Sequence, residues 1–198
     1  MISSDEILRN YLNCKYIIIN SKSFVENKDA EQEINSEFIY ETKETEQKIK
    51  MELLEEMKLC SSFNMLANFE AVVRKDFNRT ISSKLKDKLS KEFIALCDKH
   101  YTKSNKDKKR EKFCSKIPFD DILDKIKKYF KESYDPFHSQ CSILKGYFTF
   151  RHWYAHGRST RHSSVNIQIP DPEDLKELYI EFGKNVFYRT KNLQKPKP

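Results

Sequence analysis

The chain has 198 residues, room for one ordinary domain, and its 38% hydrophobic and 13% aromatic residues can build a core. Only 3 Gly and 6 Pro are present, which argues against turn-rich sandwiches and barrels, and there is no glycine-rich phosphate loop. The net charge of +7 is uneven: residues 1–56 hold 7 Lys and Arg against 13 Asp and Glu, whereas residues 74–116 hold 15 against 6. An acidic segment therefore precedes a basic one that can attract polyanions.

Three helices are predicted in the amino-terminal half. Ser3 or Ser4 can cap the first, whose apolar residues keep a helical spacing at Leu8, Tyr11, Leu12, Tyr16 and Ile19. A second helix, with a sparse apolar stripe, is predicted over residues 31–57. A third, strongly amphipathic one is predicted over residues 59–79, with its stripe at Leu59, Phe63, Leu66, Val73 and Phe77.

In the carboxy-terminal half, the sequence predicts four more helices, a loop and a short extended segment. Residues 103–112 contain no apolar residue and are typical of an exposed loop. A short extended segment is predicted over residues 165–169. The helices are predicted from Ser82 or Ser83, over residues 119–130, over residues 139–157, and from a cap at Asp171 with Pro172 in the first helical position.

Together these elements predict an all-α fold: a helical bundle over residues 58–190, an acidic helical extension over residues 1–57 and a frayed basic tail over residues 191–198. No apolar run approaches the ~18 residues that a membrane span needs, and the amino terminus is polar and acidic, unlike a signal peptide. Five widely spaced cysteines without a C-x-x-C pair fit neither a disulfide framework nor a zinc ribbon. We therefore expect a cytoplasmic protein without membrane contact.

The densest group of chemically active residues is Phe-Arg-His-Trp-Tyr-Ala-His-Gly-Arg, residues 150–158. Arg151, His152 and His156 lie within one and a half helical turns. Arg151 and His156 are about 140° apart around a helix, whereas His152 and His156 share a face. One helix thus does not present Arg151 and His156 as a tight pair, but a second copy across a twofold axis would bring both sets into one cleft.

These residue types suit the cleavage of RNA. Histidine takes or gives a proton at cellular pH, and arginine offers a permanent, fork-shaped cation to a phosphate. RNA carries its own nucleophile, the 2′-OH, so a site needs a base, an acid and charge stabilisation, and no metal. Two alternatives stay open: His152 and His156 are ordinary packed or solvated residues, or they bind zinc. For zinc the pair lacks the Glu of H-E-x-x-H and an obvious third ligand.

A second group lies on the helix predicted over residues 59–79. Position 70 falls on its apolar stripe and is Glu, and a carboxylate there is costly unless it has a cationic partner. Arg74, one turn on, is one candidate. Arg151 is another, which would make Glu70 the group that orients it. We expect Glu70 to be largely buried and bonded to Arg74 or Arg151, and the alternative is a plain Glu70–Arg74 pair at a partly exposed edge.

Two extended segments resemble the HEPN superfamily (higher eukaryote and prokaryote nucleotide-binding domains). Residues 151–156, Arg-His-Trp-Tyr-Ala-His, match its R-x-x-x-x-H motif, in which the residue after Arg is commonly Asn, Asp or His. Residues 69–77 (FEAVVRKDF) and 148–158 resemble a bacterial branch of the family. The resemblance covers roughly residues 58–190.

The resemblance implies an all-α bundle, a homodimer whose motif helices face each other, and metal-independent endoribonuclease activity without a cofactor. It also implies a toxin with an antitoxin or another regulatory protein, or an effector of abortive infection, acting on tRNA or mRNA. Arg151 and His156 would be catalytic, His152 would orient them, and Glu70 and Arg74 would be the supporting pair. Arg158 stands where a toxin branch carries Tyr as a site of inhibitory nucleotide attachment, so that regulation is not expected here.

Further basic residues are candidates for binding RNA. They are Arg158, Arg161, Lys106, Lys108, Lys109 and Arg110. Two other functions remain open: a non-catalytic HEPN module that binds RNA or a nucleotide, and a dimerisation or protein-interaction domain whose acidic extension binds a partner. Cleavage of RNA would distinguish the ribonuclease from both of these alternatives.

Overall fold

The computed structural model describes residues 3–21, 43–82, 87–100, 116–132, 137–156 and 167–187. Within these ranges the chain is helical and contains no strand, so the predicted all-α class is confirmed. The helices are α1 (Ser4–Asn20), α2 (Lys43–Ser82), α3 (Lys88–His100), α4 (Phe119–Glu132), α5 (Phe137–Ala155) and α6 (Pro172–Phe182), and α6 continues into a π-helical turn (Gly183–Phe187).

The longest helix, α2, differs from the prediction. Two helices were expected over residues 31–57 and 59–79, but one unbroken helix of 40 residues runs from Lys43 to Ser82. The stretch between Lys48 and Lys58 contains neither Gly nor Pro and is rich in Leu, Met, Glu and Lys, which favour helix. Its sparse apolar pattern reflects exposure to solvent rather than a chain break.

The predicted caps of the first and last helices are confirmed. Ser3 Oγ accepts a hydrogen bond from the backbone N–H of Glu6 at 3.2 Å. Asp171 caps α6 by accepting from the N–H of Glu173 at 3.0 Å, with Pro172 at the helix start. Each side chain satisfies a backbone donor that the first helical turn leaves without a partner. The expected start of α3 at Ser82 or Ser83 is wrong, because α3 begins at Lys88, where the Asp87 carboxylate accepts from the N–H of Ser90 at 3.1 Å.

Residues 167–171 connect to α6 and are neither helix nor strand. Their backbone is tied to α2, because Ser62 Oγ, which is fully buried, donates to the carbonyl oxygen of Pro170 at 2.7 Å. The described part of the extended segment predicted over residues 165–169 thus packs on a helix instead of joining a sheet.

Helices α4 and α5 pack antiparallel over an aromatic core. The ring centroids of Phe119 and Phe148 are 4.6 Å apart, and those of Phe130 and Phe137 are 4.4 Å apart at the opposite end of the pair. Helix α2 crosses both, and α3 and α6 close the bundle. The large side chains that are fully buried include Phe77, Phe93, Phe137, Phe148, Phe150 and Phe182.

Helix α1 packs along the first half of α2 and against α6. Lys50 Nζ of α2 donates to the carbonyl oxygen of Ser21 at 3.0 Å, and Lys176 of α6 pairs with Asp5. Of the stripe predicted for this helix, Tyr11 is buried, whereas Tyr16 is 69% exposed. The helical spacing was predicted correctly, but burial is confined to the end of α1 that meets the bundle.

Among the described residues, no helix combines the length and apolar composition needed to cross a membrane. Cys14, Cys60 and Cys141 are free thiols. Cys97, fully buried in α3, is disulfide-bonded, which the cysteine spacing did not predict.

Candidate active site

Glu70 lies on the apolar stripe of α2, as the sequence predicts. Leu66, Val73 and Phe77 of the same stripe are buried, and the Glu70 side chain is only 14% exposed. Desolvating a carboxylate raises its free energy unless cations or hydrogen-bond donors face it. The surroundings of Glu70 supply two such cations.

Two guanidinium groups share the Glu70 carboxylate. Arg74 Nε donates to Oε1 of Glu70 at 2.7 Å, and Arg151 Nη1 of α5 lies 3.0 Å from Oε2. Glu70 is therefore largely buried and contacts both candidate partners, which confirms the expected contacts. The contact between Arg151 and Glu70 is an ion pair without hydrogen-bond geometry, because Glu70 Oε2 accepts no hydrogen bond from the described residues. Arg151 Nε likewise has no hydrogen-bond partner among them.

Arg74 also joins this cluster to the start of α4. Its Nη1 donates to the carbonyl oxygen of Ile117 at 2.8 Å, and its guanidinium carbon lies 5.5 Å from the ring centroid of Phe119. Arg151 sits similarly near the ring of Phe148, at 5.9 Å. Cation–π contacts and carbonyl acceptors hold guanidinium groups without neutralising them.

We call Glu70, Arg74 and Arg151 the Glu70 cluster. With one carboxylate for two arginines, it carries one net positive charge in a half-buried position, since the arginine side chains are 27% and 24% exposed. Reduced access of water strengthens electrostatic interactions with a ligand. A phosphate that contacts Arg151 would balance this charge, so the cluster is suited to binding an anion.

His152 and His156 occupy the exposed side of the motif helix. Both are exposed, and the backbone N–H of His156 donates to the carbonyl oxygen of His152 at 3.1 Å, so the helical geometry continues to His156. Arg151 turns inward to Glu70 instead. The three residues predicted for catalysis therefore lie on one helical segment but not on one face, as their spacing indicates.

Tyr147, one turn before Arg151, is a neutral phenol rather than a candidate base. Burial raises the pKa of its hydroxyl, and the negative charges of Asp174 and Asp171 raise it further.

The sequence alone allows the aromatic residues around the motif two roles, an interface between copies or part of the core of the bundle. Phe148 and Phe150 belong to the core, where they are 2% and 0% exposed. Trp153 and Tyr154 are partly buried; the Tyr154 ring lies 5.0 Å from that of Phe63, and its hydroxyl lies 3.4 Å from Glu56 Oε1. An interface role for Phe148 and Phe150 is therefore wrong.

The predicted RNA-binding residues all lie outside the described residues. They are Arg158, Arg161, Lys106, Lys108, Lys109 and Arg110. The zinc alternative gains no third ligand within the described part of the chain, where no group of three His, Cys, Asp or Glu side chains is placed to hold a metal ion.

Sequence reasoning did not identify the carbonyl oxygen of Ile117 or the ring of Phe119 as parts of the cluster. A backbone acceptor has no sequence signature, and Ile117 is separated from Arg74 by 43 positions. The available signal for such further acceptors was Arg74 itself, because a buried arginine needs acceptors beyond a single carboxylate.

Comparisons of this chain with models of protein families, with curated proteins and with solved structures find no match.

Proposed function

We propose that this chain is a metal-independent endoribonuclease of the HEPN type, which cleaves tRNA or mRNA as a toxin or as an effector of abortive infection in the cytoplasm. The observation that carries the proposal is the Glu70 cluster, in which a largely buried carboxylate contacts Arg151 on the helix that also carries two exposed histidines. The motif at residues 151–156 and the segment over residues 69–77 supply the resemblance, and their two helices meet at Glu70 and Arg151.

The residues take distinct roles in the proposed reaction. His156 accepts the proton of the 2′-OH, whose oxygen attacks the neighbouring phosphorus. The bond to the 5′-oxygen of the next nucleotide breaks, and that oxygen receives a proton from a histidine of a second copy. Arg151 stabilises the charge on the phosphoryl oxygens, and His152 orients the reacting groups. Glu70 and Arg74 are positioning residues, because they act through Arg151.

A homodimer completes the proposed site. Arg151 points into its own bundle towards Glu70, whereas His156 is exposed on another side of α5. One copy therefore does not surround a phosphate with both groups. A twofold pairing of motif helices would set two arginines and two to four histidines around one groove.

Incubation of the purified chain with tRNA and with mRNA, with and without EDTA, tests the activity. We expect cleavage in both conditions, and a loss of about 100-fold or more in the Arg151→Ala/His156→Ala variant, since general acid–base catalysis contributes at least that much. Equal cleavage by the variant, or cleavage that EDTA removes and zinc restores, would contradict the proposal. Binding of RNA without cleavage would support the non-catalytic module.

Mixing two inactive chains tests the shared site. An Arg151→Ala chain and a His156→Ala chain are expected to recover part of the activity when combined, because some mixed dimers retain one complete set of residues. Dilution below the dimer dissociation constant should abolish cleavage. A monomer that cleaves at the full rate would show that a single copy suffices.

A further inference from the structure

Helices α3 and α4 form an antiparallel pair. His100 Nε2 lies 3.1 Å from Asp121 Oδ2 near one end of the pair, and Lys125 Nζ donates to Glu92 Oε2 at 2.7 Å further along. The start of α3 therefore lies beside the end of α4.

Charge is segregated along this pair. Three acidic residues of α4 are in its first half, at Asp120, Asp121 and Asp124, whereas from Lys125 onwards the helix carries four lysines and one acidic residue, Glu132. These lysines lie beside those at the start of α3. We call the resulting group the lysine patch, and its members are Lys88, Lys91, Lys125, Lys128 and Lys131.

Glu92 lies at the centre of the lysine patch. The hydrogen bond from Lys125 lowers the pKa of its carboxyl below the ordinary value; burial opposes this shift, and the positive charges of Lys125, Lys128 and Lys88 lower the pKa further. Glu92 is thus bonded directly to Lys125 and lies in the field of two further lysines. The five lysines of the patch outnumber the three acidic residues in or next to the same stretches of α3 and α4, Asp87, Glu92 and Glu132, so the patch keeps an excess of positive charge that a polyanion would neutralise.

The patch is remote from Arg151 along the bundle. Lys145 Nζ of α5 lies 2.6 Å from Asp124 Oδ1, and Phe137 at the start of α5 packs on Phe130 near the end of α4. Lys128 and Lys131 are therefore level with the first turns of α5. At 1.5 Å per residue, Arg151 is about 10–20 Å further along than the lysines of the patch on α4.

We propose that the lysine patch is a second contact surface for RNA, which binds the phosphate backbone about 10–20 Å from Arg151 along the bundle. The proposal rests on the proposed function for the identity of the polyanion as RNA. Lysines spaced one turn apart on two adjacent helices match a ligand with closely and regularly spaced charges. The patch would contact long RNA and would not contact a dinucleotide bound at Arg151.

RNA binding to a His156→Ala chain, which retains Arg151, measures the contribution of the patch without cleavage. Adding Lys88→Ala and Lys128→Ala leaves the Lys125–Glu92 pair in place. We expect roughly tenfold weaker binding of an RNA of about 30 nucleotides at low salt, and a slope of log K against log salt reduced by about 1.5. Binding of a dinucleotide should not change, since it spans too little of the surface to reach the patch from Arg151.

A matched control removes two lysines elsewhere. Lys48 and Lys184 have side chains that are 76% and 65% exposed and form surface ion pairs outside the patch. Lys48→Ala/Lys184→Ala should leave the binding of long RNA within about twofold, since phosphate contacts determine the affinity. The opposite change, Glu92→Gln, should tighten the binding of long RNA because it removes a negative charge from the patch.

The outcomes separate this inference from the proposed function. Equal losses in the patch variant and the control variant, or weaker binding of anionic vesicles with unchanged binding of RNA, would overturn the patch while RNA cleavage stands. A wild-type chain that cleaves no RNA but binds long RNA through these lysines would refute the nuclease and retain the patch.

Discussion

Expression of the wild-type chain in a bacterial host is expected to arrest growth, and the His156→Ala variant is expected to relieve the arrest. The reason is the loss of a proton-transfer group, which lowers the rate of cleavage by about 100-fold to 10,000-fold. Growth curves after induction, with chain levels matched by immunoblot, measure the effect.

The exposure of His156 makes this experiment informative. Exposed substitutions usually change the free energy of unfolding by less than about 0.5 kcal/mol, so His156→Ala, at the exposed carboxy-terminal end of α5, should remain folded. His138→Ala, on the first turn of the same helix, is the matched control and should stay toxic. Equal toxicity of the wild type and His156→Ala would count decisively against a nuclease centred on this histidine.

Glu70→Ala is expected to abolish RNA cleavage and to lower the free energy of unfolding by about 3 kcal/mol. Removing the carboxylate leaves Arg74 and Arg151 facing each other across a half-buried space. The cost falls at the lower end of the range for broken buried ion pairs, because both guanidinium groups keep some contact with water. For a chain of this length the midpoint of thermal unfolding should fall by about 6–12 °C.

Two other variants separate a positioning role from a general loss of stability. Glu52→Ala removes a carboxylate from the same helix whose side chain is 66% exposed, and it should melt with the wild type. Glu70→Gln keeps the shape and one acceptor oxygen, so it should recover part of the stability, while cleavage stays low because Arg151 lacks its charged partner. A Glu70→Ala chain that melts and cleaves like the wild type would refute both roles.

The helical periodicity predicted most of this fold because the buried faces are apolar and regular. The stripe through Leu66, Val73 and Phe77 placed Glu70 correctly, and a carboxylate on that stripe predicted its cationic neighbours. The choice between Arg74 and Arg151 could not be made from spacing, since it depends on how α5 packs across α2. The structure contains both contacts.

Other features left no periodic signal. The unbroken course of α2 was missed because its first half has few buried side chains, and a helix exposed on most sides has no apolar face to count. The grouping of Lys88 with Lys125 and Lys128 also depends on tertiary packing, since 37 positions separate the first two. Whether the aromatic residues of the motif fill the core or form an interface also depends on tertiary packing.

Because α2 is continuous, it joins the acidic part of the chain to the basic part. The two parts differ in charge but share one helix. A helix that began at residue 58 would have four backbone N–H groups without carbonyl partners in its first turn. That weakened first turn would extend to Ser62, whose hydroxyl donates to the carbonyl oxygen of Pro170. The acidic half instead supplies the first turns, whose formation is the costly step in making a helix. Glu70 consequently lies about seven turns from the first residue of α2 and about three turns from the last.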